Sequence, residues 1–144
     1  MLLGNYQAVL SDSRRVAVPK KFMRELGENL VLAMWYEDCL ILVKDNFWEA
    51  LSKNLVGDSR KGWGVRDLER FILGSAFEIT LDDQGRIIIP ETLAEYAKLD
   101  KNLCFLGLID RVEIWPKEIW DKKAKELSVT TKEYIEELVK NDKR

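Results

Sequence analysis

Two arginines, Arg15 and Arg86, occur in closely similar surroundings in the two halves of the chain. Each follows a polar turn and precedes three residues, mostly aliphatic, and a proline, Pro19 or Pro90. An arginine at such a turn can donate paired hydrogen bonds to guanine O6 and N7, or bind a phosphate. It can equally remain a solvated charge or pair with a carboxylate that orders the turn. For Arg15 the local sequence alone favours the solvated or turn-ordering charge. For Arg86 an ion pair with Asp82 is as good an interpretation as DNA contact.

The residues around Arg15 form a basic cluster that the overall charge of −2 hides. From Asp12 to Arg24, five basic residues stand against one acid, a local net charge of +4. The equivalent stretch from Asp82 to Glu95 has four acids and one arginine, a local net charge of −3. Because phosphate responds to local rather than average charge, we predict that the first copy contributes more DNA affinity than the second. The five basic residues are Arg14, Arg15, Lys20, Lys21 and Arg24.

Lys20 and Lys21 stand at the start of a predicted helix, directly after Pro19. Cationic side chains are mildly unfavourable at a helix N-terminus, so helix stability does not explain them. We interpret them as a phosphate-binding edge next to Arg14 and Arg15. The alternative is an ordinary solvated helix face.

The composition argues against an enzyme or a metal protein. There is no histidine, which removes the commonest general base and most zinc sites. Cys39 and Cys104 lie in apolar stretches, so we expect buried, reduced thiols. Asp82 and Asp83 have no third acid at ligand spacing, which favours a polar turn over a metal site. We therefore expect no catalytic activity, no cofactor and no metal.

The chain also lacks the pattern of a membrane or exported protein. No apolar stretch approaches the ~20 residues of a membrane span, and no basic segment followed by an apolar one opens the sequence. We expect a cytoplasmic protein without a membrane partner.

The repetition extends beyond the arginines to whole units. The order strand, turn, strand, helix, strand, turn, strand, helix is predicted twice, which indicates a mixed α/β (α+β) fold. Units of about 70 residues are marginal alone, so the two copies should share a core. Thr130 and Glu133 are spaced as a capping box that would begin a last helix. The predicted boundaries are 1–57 for the first domain, 58–73 for a linker and connecting helix, 74–127 for the second domain and 128–144 for a C-terminal helix.

Two segments carry a family resemblance, Leu81–Pro90 and Arg15–Pro19. Together they resemble the AbrB-type (SpoVT-AbrB) swapped-hairpin DNA-binding fold. With the opening Met1–Tyr6 and the later Val112–Trp115, the two copies resemble the MraZ family over residues 1 to about 127. The resemblance implies a duplicated swapped-hairpin β-barrel with peripheral helices and a pseudo-two-fold axis within the chain. It also implies a ring-like homo-oligomer.

The resemblance further implies a function. Members of the family bind double-stranded DNA at repeated promoter boxes and usually repress the division and cell-wall gene cluster, which would make this chain nucleoid-associated. An alternative of a different class is a protein-interaction or antitoxin-like scaffold, because antitoxins share the AbrB fold.

The family motif, Asp-x-x-x-Arg, is intact from Asp82 to Arg86. In the first copy Ser11 replaces the aspartate, and Arg14 stands where the second copy has Gly85. Arg14 could add a phosphate-binding charge, which we favour, or restore a turn-ordering interaction lost with the aspartate. The implied DNA-binding residues are Arg14, Arg15, Lys20, Lys21 and Arg86, with Ser11, Asp82 and Gly85 shaping the turns.

Overall fold

The computed structural model describes residues 1–55 and 63–142 and has the predicted mixed α+β architecture. The first copy comprises β1 (Leu2–Val9), β2 (Arg15–Ala17), α1 (Lys20–Leu26), β3 (Asn29–Trp35), β4 (Cys39–Lys44) and α2 (Asp45–Leu55). The connecting helix is α3 (Trp63–Gly74). The second copy comprises β5 (Phe77–Thr80), β6 (Arg86–Ile88), α4 (Glu91–Tyr96), β7 (Asn102–Ile109), β8 (Val112–Pro116) and α5 (Lys117–Asp142). Part of the predicted linker, residues 58–62, lies outside the described residues.

The strands of the two copies interleave. A six-stranded antiparallel sheet has the order β1-β7-β8-β4-β3-β5, and β2 pairs with β6 in a separate two-stranded ribbon. Exchanging equivalent strands of the copies reverses the order of the large sheet and leaves the ribbon unchanged. The duplicated arrangement with its internal pseudo-two-fold axis is therefore confirmed. Strands β1 and β2 flank one turn yet pair with different strands of the other copy, as a swapped hairpin requires.

The large sheet is open rather than closed into a barrel. Strands β1 and β5 are its two edges, and no strand pairing within the described residues joins them. The two-stranded ribbon stands apart from this sheet in its backbone hydrogen bonds. The expected closed barrel is thus replaced by an open sheet and a ribbon, because β2 and β6 pair only with each other.

One hydrophobic core joins the two copies. Phe22 and its counterpart Leu93 are both fully buried, as are Leu32 and Phe105 from the third strand of each copy. Burying a side chain of this size contributes about 1.5–3 kcal/mol, and a separated copy would lose much of that cover. The predicted shared core is present, whereas the division at residue 57 and residue 74 into separate domains stays a prediction.

The C-terminal helix differs from the sequence prediction. Helix α5 runs without interruption from Lys117 to Asp142, across the predicted boundary between residues 127 and 128. The predicted capping box is wrong, because Thr130 Oγ1 donates to the carbonyl of Glu126 at 3.1 Å inside the helix. Ser128 bonds similarly to the Lys125 carbonyl at 2.8 Å. Each hydroxyl bonds to a backbone carbonyl in the preceding turn of the same helix. It therefore does not cap the N-terminus of a new helix.

The two cysteines are buried free thiols, as predicted. Cys104 lies opposite Trp115 in the β7–β8 pair, and Cys39 packs in the same small cluster. Burial raises the pKa of Cys104 to about 11 and raises that of Cys39 further. Both thiols are therefore protonated at neutral pH and are poor nucleophiles.

In the described parts of the chain, no helix is both long and apolar enough to cross a membrane.

Candidate nucleic-acid interface

The turn of the second copy is built around Asp82. Its Oδ1 accepts hydrogen bonds from the backbone N–H groups of Gln84 and Arg86, each at 2.9 Å. Its Oδ2 accepts from Arg86 Nε at 3.0 Å. The backbone bond from Arg86 leads the causes that lower the pKa of Asp82. Asp82 is thus an ionised turn-former that also holds Arg86, and not a free metal ligand.

The turn of the first copy has the same pattern of backbone hydrogen bonds, but its arginine is not held by the residue at the aspartate position. The Ser11 carbonyl accepts from Arg14 N at 2.9 Å, and Ser11 Oγ accepts from Arg15 N at 3.0 Å, as Asp82 does in the second copy. A hydroxyl has no second oxygen and no charge to hold the guanidinium. Arg15 Nη1 instead donates to Ser13 Oγ at 3.0 Å, and no ion pair to a described carboxylate holds it. The exposed Arg15 is therefore free to bind an external anion.

Arg14 and Gly85 occupy equivalent left-handed positions, with φ of 62° and 74°. Gly85 is buried, and a Cβ there would lie 2.7 Å from Met23 Cε. In the other copy the residue equivalent to Met23 is the smaller Ala94, which is consistent with a side chain being accommodated at Arg14. Arg14 Nε donates to the carbonyl of Ile89 at 3.0 Å. Part of the Arg14 guanidinium therefore anchors the turn to the second copy.

The two motif arginines lie on one surface rather than two. In the ribbon Arg15 pairs with Ile88 and Ala17 with Arg86, so all four side chains share one face. The alternate residues of both strands are buried in the core, which leaves this face outward. Arg15 and Arg86 line one shallow cleft together with Phe77, Glu78, Ile79, Thr80, Asp82, Ile88 and Pro90.

The strand swap moves the lysines away from the arginines next to them in sequence. The N–H of Val18 donates to the Gly85 carbonyl at 3.0 Å, and Met23 of α1 packs against Gly85. Helix α1, with Lys20 and Lys21 as its first residues, therefore begins beside the Asp82–Arg86 turn, and the Lys21 ammonium lies 6.0 Å from the centre of the Tyr6 ring of β1. The expectation that they adjoin Arg14 and Arg15 is wrong, because β2 carries the chain to the opposite end of the ribbon.

The acidic helix α4 is exchanged in the same way. Ile89 and Arg14 bond through their backbones at 2.8 Å, which places the start of α4 beside the first turn. Glu91 and Glu95 therefore lie nearer Arg14 than Arg86 in the fold. Consequently each turn lies beside the helix that follows the other turn. The basic stretch of charge +4 and the acidic stretch of charge −3 are therefore intermixed in the folded protein.

The sequence analysis named no candidate DNA-binding residue in the loop of residues 97–101, between α4 and β7. The N–H of Leu10 donates to the Lys101 carbonyl at 2.8 Å, directly beyond the last β1–β7 pair. This loop thus runs beside the first turn. Only the pairing of β1 with β7 could have revealed this, since no local motif marks the loop.

The chain is similar to the proteins of one known family. The family described as "MraZ protein, putative antitoxin-like" matches residues 72–141. A protein of Caldanaerobacter subterraneus subsp. tengcongensis named Transcriptional regulator MraZ is 38% identical over 138 residues, 96% of each chain. Relatives of the same name from Natranaerobius thermophilus and Caldicellulosiruptor saccharolyticus are 34% and 33% identical over 99% and 96% of each chain. They are named as regulators and not as enzymes, in line with the prediction from composition. With this identity along nearly its whole length, the chain belongs to the MraZ family.

Proposed function

We propose that this protein is a DNA-binding transcriptional regulator that reads DNA with the outward face of the β2–β6 ribbon. The observation that carries the proposal is the placement of Arg15 and Arg86 on that one face, with Arg15 free of any described carboxylate. An antiparallel two-stranded ribbon fits the major groove, where an arginine can bind guanine through two hydrogen bonds. Relatives named as transcriptional regulators support this assignment.

The two turns would contribute differently to binding. Arg15 would contact base edges, because its guanidinium has no charged partner to give up. Arg86 must first weaken its bond to Asp82, so we assign it a smaller share. Lys20 and Lys21, exposed at the start of α1, would bind phosphates beside the second turn, and Arg14 would add charge beside the first.

Binding through a single ribbon neutralises few phosphates and is therefore weak at physiological salt. A ring-like homo-oligomer presenting several ribbons would engage repeated promoter boxes together and gain affinity through linkage. In this proposal the protein acts in the cytoplasm on nucleoid DNA and represses the division and cell-wall gene cluster.

The proposal is tested by fluorescence anisotropy with DNA from upstream of the protein's own gene, in a series of salt concentrations. We expect Arg15→Ala to weaken binding by about 5- to 150-fold, in line with about 1–3 kcal/mol for a bidentate base contact. Arg86→Ala should weaken it only a few-fold. Equal losses, or a larger loss at Arg86, would contradict the asymmetry.

A matched control uses Arg70, an exposed arginine of α3 that pairs with Asp67 at 2.8 Å. Arg70→Ala removes one positive charge outside the ribbon and should leave the affinity close to that of the wild type. If all three variants bind equally, the ribbon is not the DNA-binding face.

The alternative function is a protein-interaction or antitoxin-like scaffold. One observation favours it, an exposed apolar face on the last part of α5 that includes Tyr134, Ile135, Leu138 and Val139. This alternative predicts no sequence preference, so equal affinity for upstream DNA and scrambled DNA would support it over regulation.

A further inference from the structure

We propose that Lys98 and Lys101, from the loop between α4 and β7, bind DNA phosphates next to the Arg15 turn of the other copy. This inference rests on the proposed DNA-binding function and extends it to a segment that carries no family motif. The lysines belong to the second copy, whereas the turn that they would serve belongs to the first.

The backbone places the loop beside the turn. The last residue pair of β1 and β7 is Val9 with Asn102, and the Leu10–Lys101 hydrogen bond of 2.8 Å continues the ladder into both loops. A shallow cleft separates them, lined by Val9, Leu10, Ser11, Asp12, Leu99, Asp100 and Lys101. Lys98 lines an adjoining cleft, which shares Asp100 and Lys101 with the first and is otherwise formed by residues of β7, β8 and α5. Lys101 therefore lies beside the Ser11–Arg15 turn, and Lys98 precedes Lys101 by three residues in the same loop.

Relative to the first copy, both lysines make the loop of the second copy more positive. Lys98 occupies a left-handed position with φ of 54°, where the first copy has Gly27 with φ of 74°. A side chain in this conformation is disfavoured, so backbone geometry alone would select glycine. Lys101 precedes Asn102 as Glu28 precedes Asn29, so a cation replaces an anion there.

The local charge gives these lysines a role. The first turn carries Arg14 and Arg15, but Asp12 belongs to the same turn and Asp100 lines the cleft beside it. Glu91 and Glu95 add two more acids on α4, the helix that begins beside this turn. Without Lys98 and Lys101 the surroundings of the turn would repel DNA. With both lysines the charges balance, and the cations are the long side chains that can extend to a phosphate.

The two lysines are available for binding. Both are exposed, and neither forms an ion pair with a described residue. By contrast Lys117, which shares the cleft with Lys98, is paired with Asp121 at 2.6 Å. We therefore assign the phosphate contact to Lys98 and Lys101 and not to Lys117.

The test compares the double variant Lys98→Gln/Lys101→Gln with Lys122→Gln/Lys125→Gln, which removes two exposed lysines of α5. Binding of upstream DNA and of scrambled DNA is measured by anisotropy against salt concentration. We expect the first variant to lower the slope of log K against log salt by nearly two, at about 0.9 for each phosphate contact. Affinity for both DNAs should fall by a similar factor, because phosphate contacts do not read sequence. The α5 variant should retain the wild-type slope.

Folding is separated from binding by Lys98→Gly, which restores the glycine of the other copy. This variant should melt at or above the wild-type temperature and still lose about one unit of salt slope. An unchanged slope in both the double variant and Lys98→Gly, with Arg15→Ala still impaired, would overturn this inference alone. Absence of DNA binding by the wild type, or normal binding by Arg15→Ala, would overturn the proposed function and this inference with it.

Discussion

At the scale of single residues, the two copies differ by exchanges that keep the backbone and change the charge. Ser11 and Asp82 accept the same backbone hydrogen bond, yet only the aspartate also holds its arginine. Arg14 keeps the left-handed geometry of Gly85. The turn conformation is thus shared, while the freedom of the arginine that follows is set by one side-chain oxygen.

The Asp82 turn should make stability depend on pH in the acid range. Because the pKa of Asp82 is lower in the folded state, the carboxylate stabilises the fold above its unfolded pKa of about 3.9. That contribution is lost as the pH falls through the folded value. We expect Asp82→Asn to lower the Tm at pH 7 and to have a progressively smaller effect as the pH falls below about 3.9, with calorimetry as the measurement. Asp83→Asn is the control, and a Tm difference for Asp82→Asn that persists unchanged at pH 2 would contradict the assignment.

The variants Arg14→Gly and Arg14→Ala together separate the role of Arg14 in the turn from its role in DNA binding. Arg14→Gly removes a left-handed strain of about 1–2 kcal/mol and loses one hydrogen bond of about 1 kcal/mol, so stability should stay near that of the wild type. Arg14→Ala loses the bond and keeps the strain, so urea unfolding should show it less stable than the glycine variant by about 1–2 kcal/mol. Both variants should lower the slope of DNA affinity against salt by about one. A wild-type slope would mean that Arg14 only orders the turn.

At the scale of elements, close backbone approach fixes how β1 lies on β7. Gly4 pairs with Gly107 in this ladder, and a Cβ at Gly107 would lie 2.7 Å from the backbone nitrogen of Leu3. It would also approach Phe22 Cζ at 2.9 Å. Since β1 leads directly into the Arg15 turn, this contact positions the turn relative to the loop of residues 97–101.

Gly107→Ala should therefore be destabilising. Backbone atoms cannot move aside as a flexible side chain can, so we expect a loss of about 1–3 kcal/mol in the free energy of unfolding by urea. Gly74→Ala is the control, because a Cβ at the end of α3 meets no atom within 4 Å. That variant should be neutral or up to about 1 kcal/mol more stable. Similar effects at both glycines would show that the β1–β7 approach is not tight.

At the scale of the whole molecule, two kinds of surface lack cover. The edge strands β1 and β5 have no further strand partner in the described chain, and Leu3 and Val9 on β1 are exposed. Beyond residue 127, helix α5 presents apolar side chains with no buried residue among them. Proteins usually cover such edges and faces by association.

We accordingly predict a closed oligomer in solution. Light scattering at micromolar concentration should give a mass that is a multiple of 16.8 kDa. Leu138→Lys places a charge on the exposed face of α5 and should lower that mass if the helix contributes to assembly. Lys140→Ala, which changes only charge near the same end, is the control. Particles of 16.8 kDa alone in the wild type would contradict the prediction.

Four features could be predicted from the sequence: the duplicated strand–helix order, the two arginine turns, the prolines that open α1 and α4, and the buried thiols. Each follows from spacing within a few residues or from direct repetition. Three others became visible only in the folded chain: α1 begins beside the second turn, α4 begins beside the first, and the sheet stays open. These outcomes depend on which distant strands pair, and local residue spacing carries no information about that choice. The continuity of α5 was also not predictable from the sequence, because a Ser or Thr hydroxyl can either cap a helix N-terminus or bond to a carbonyl within a helix.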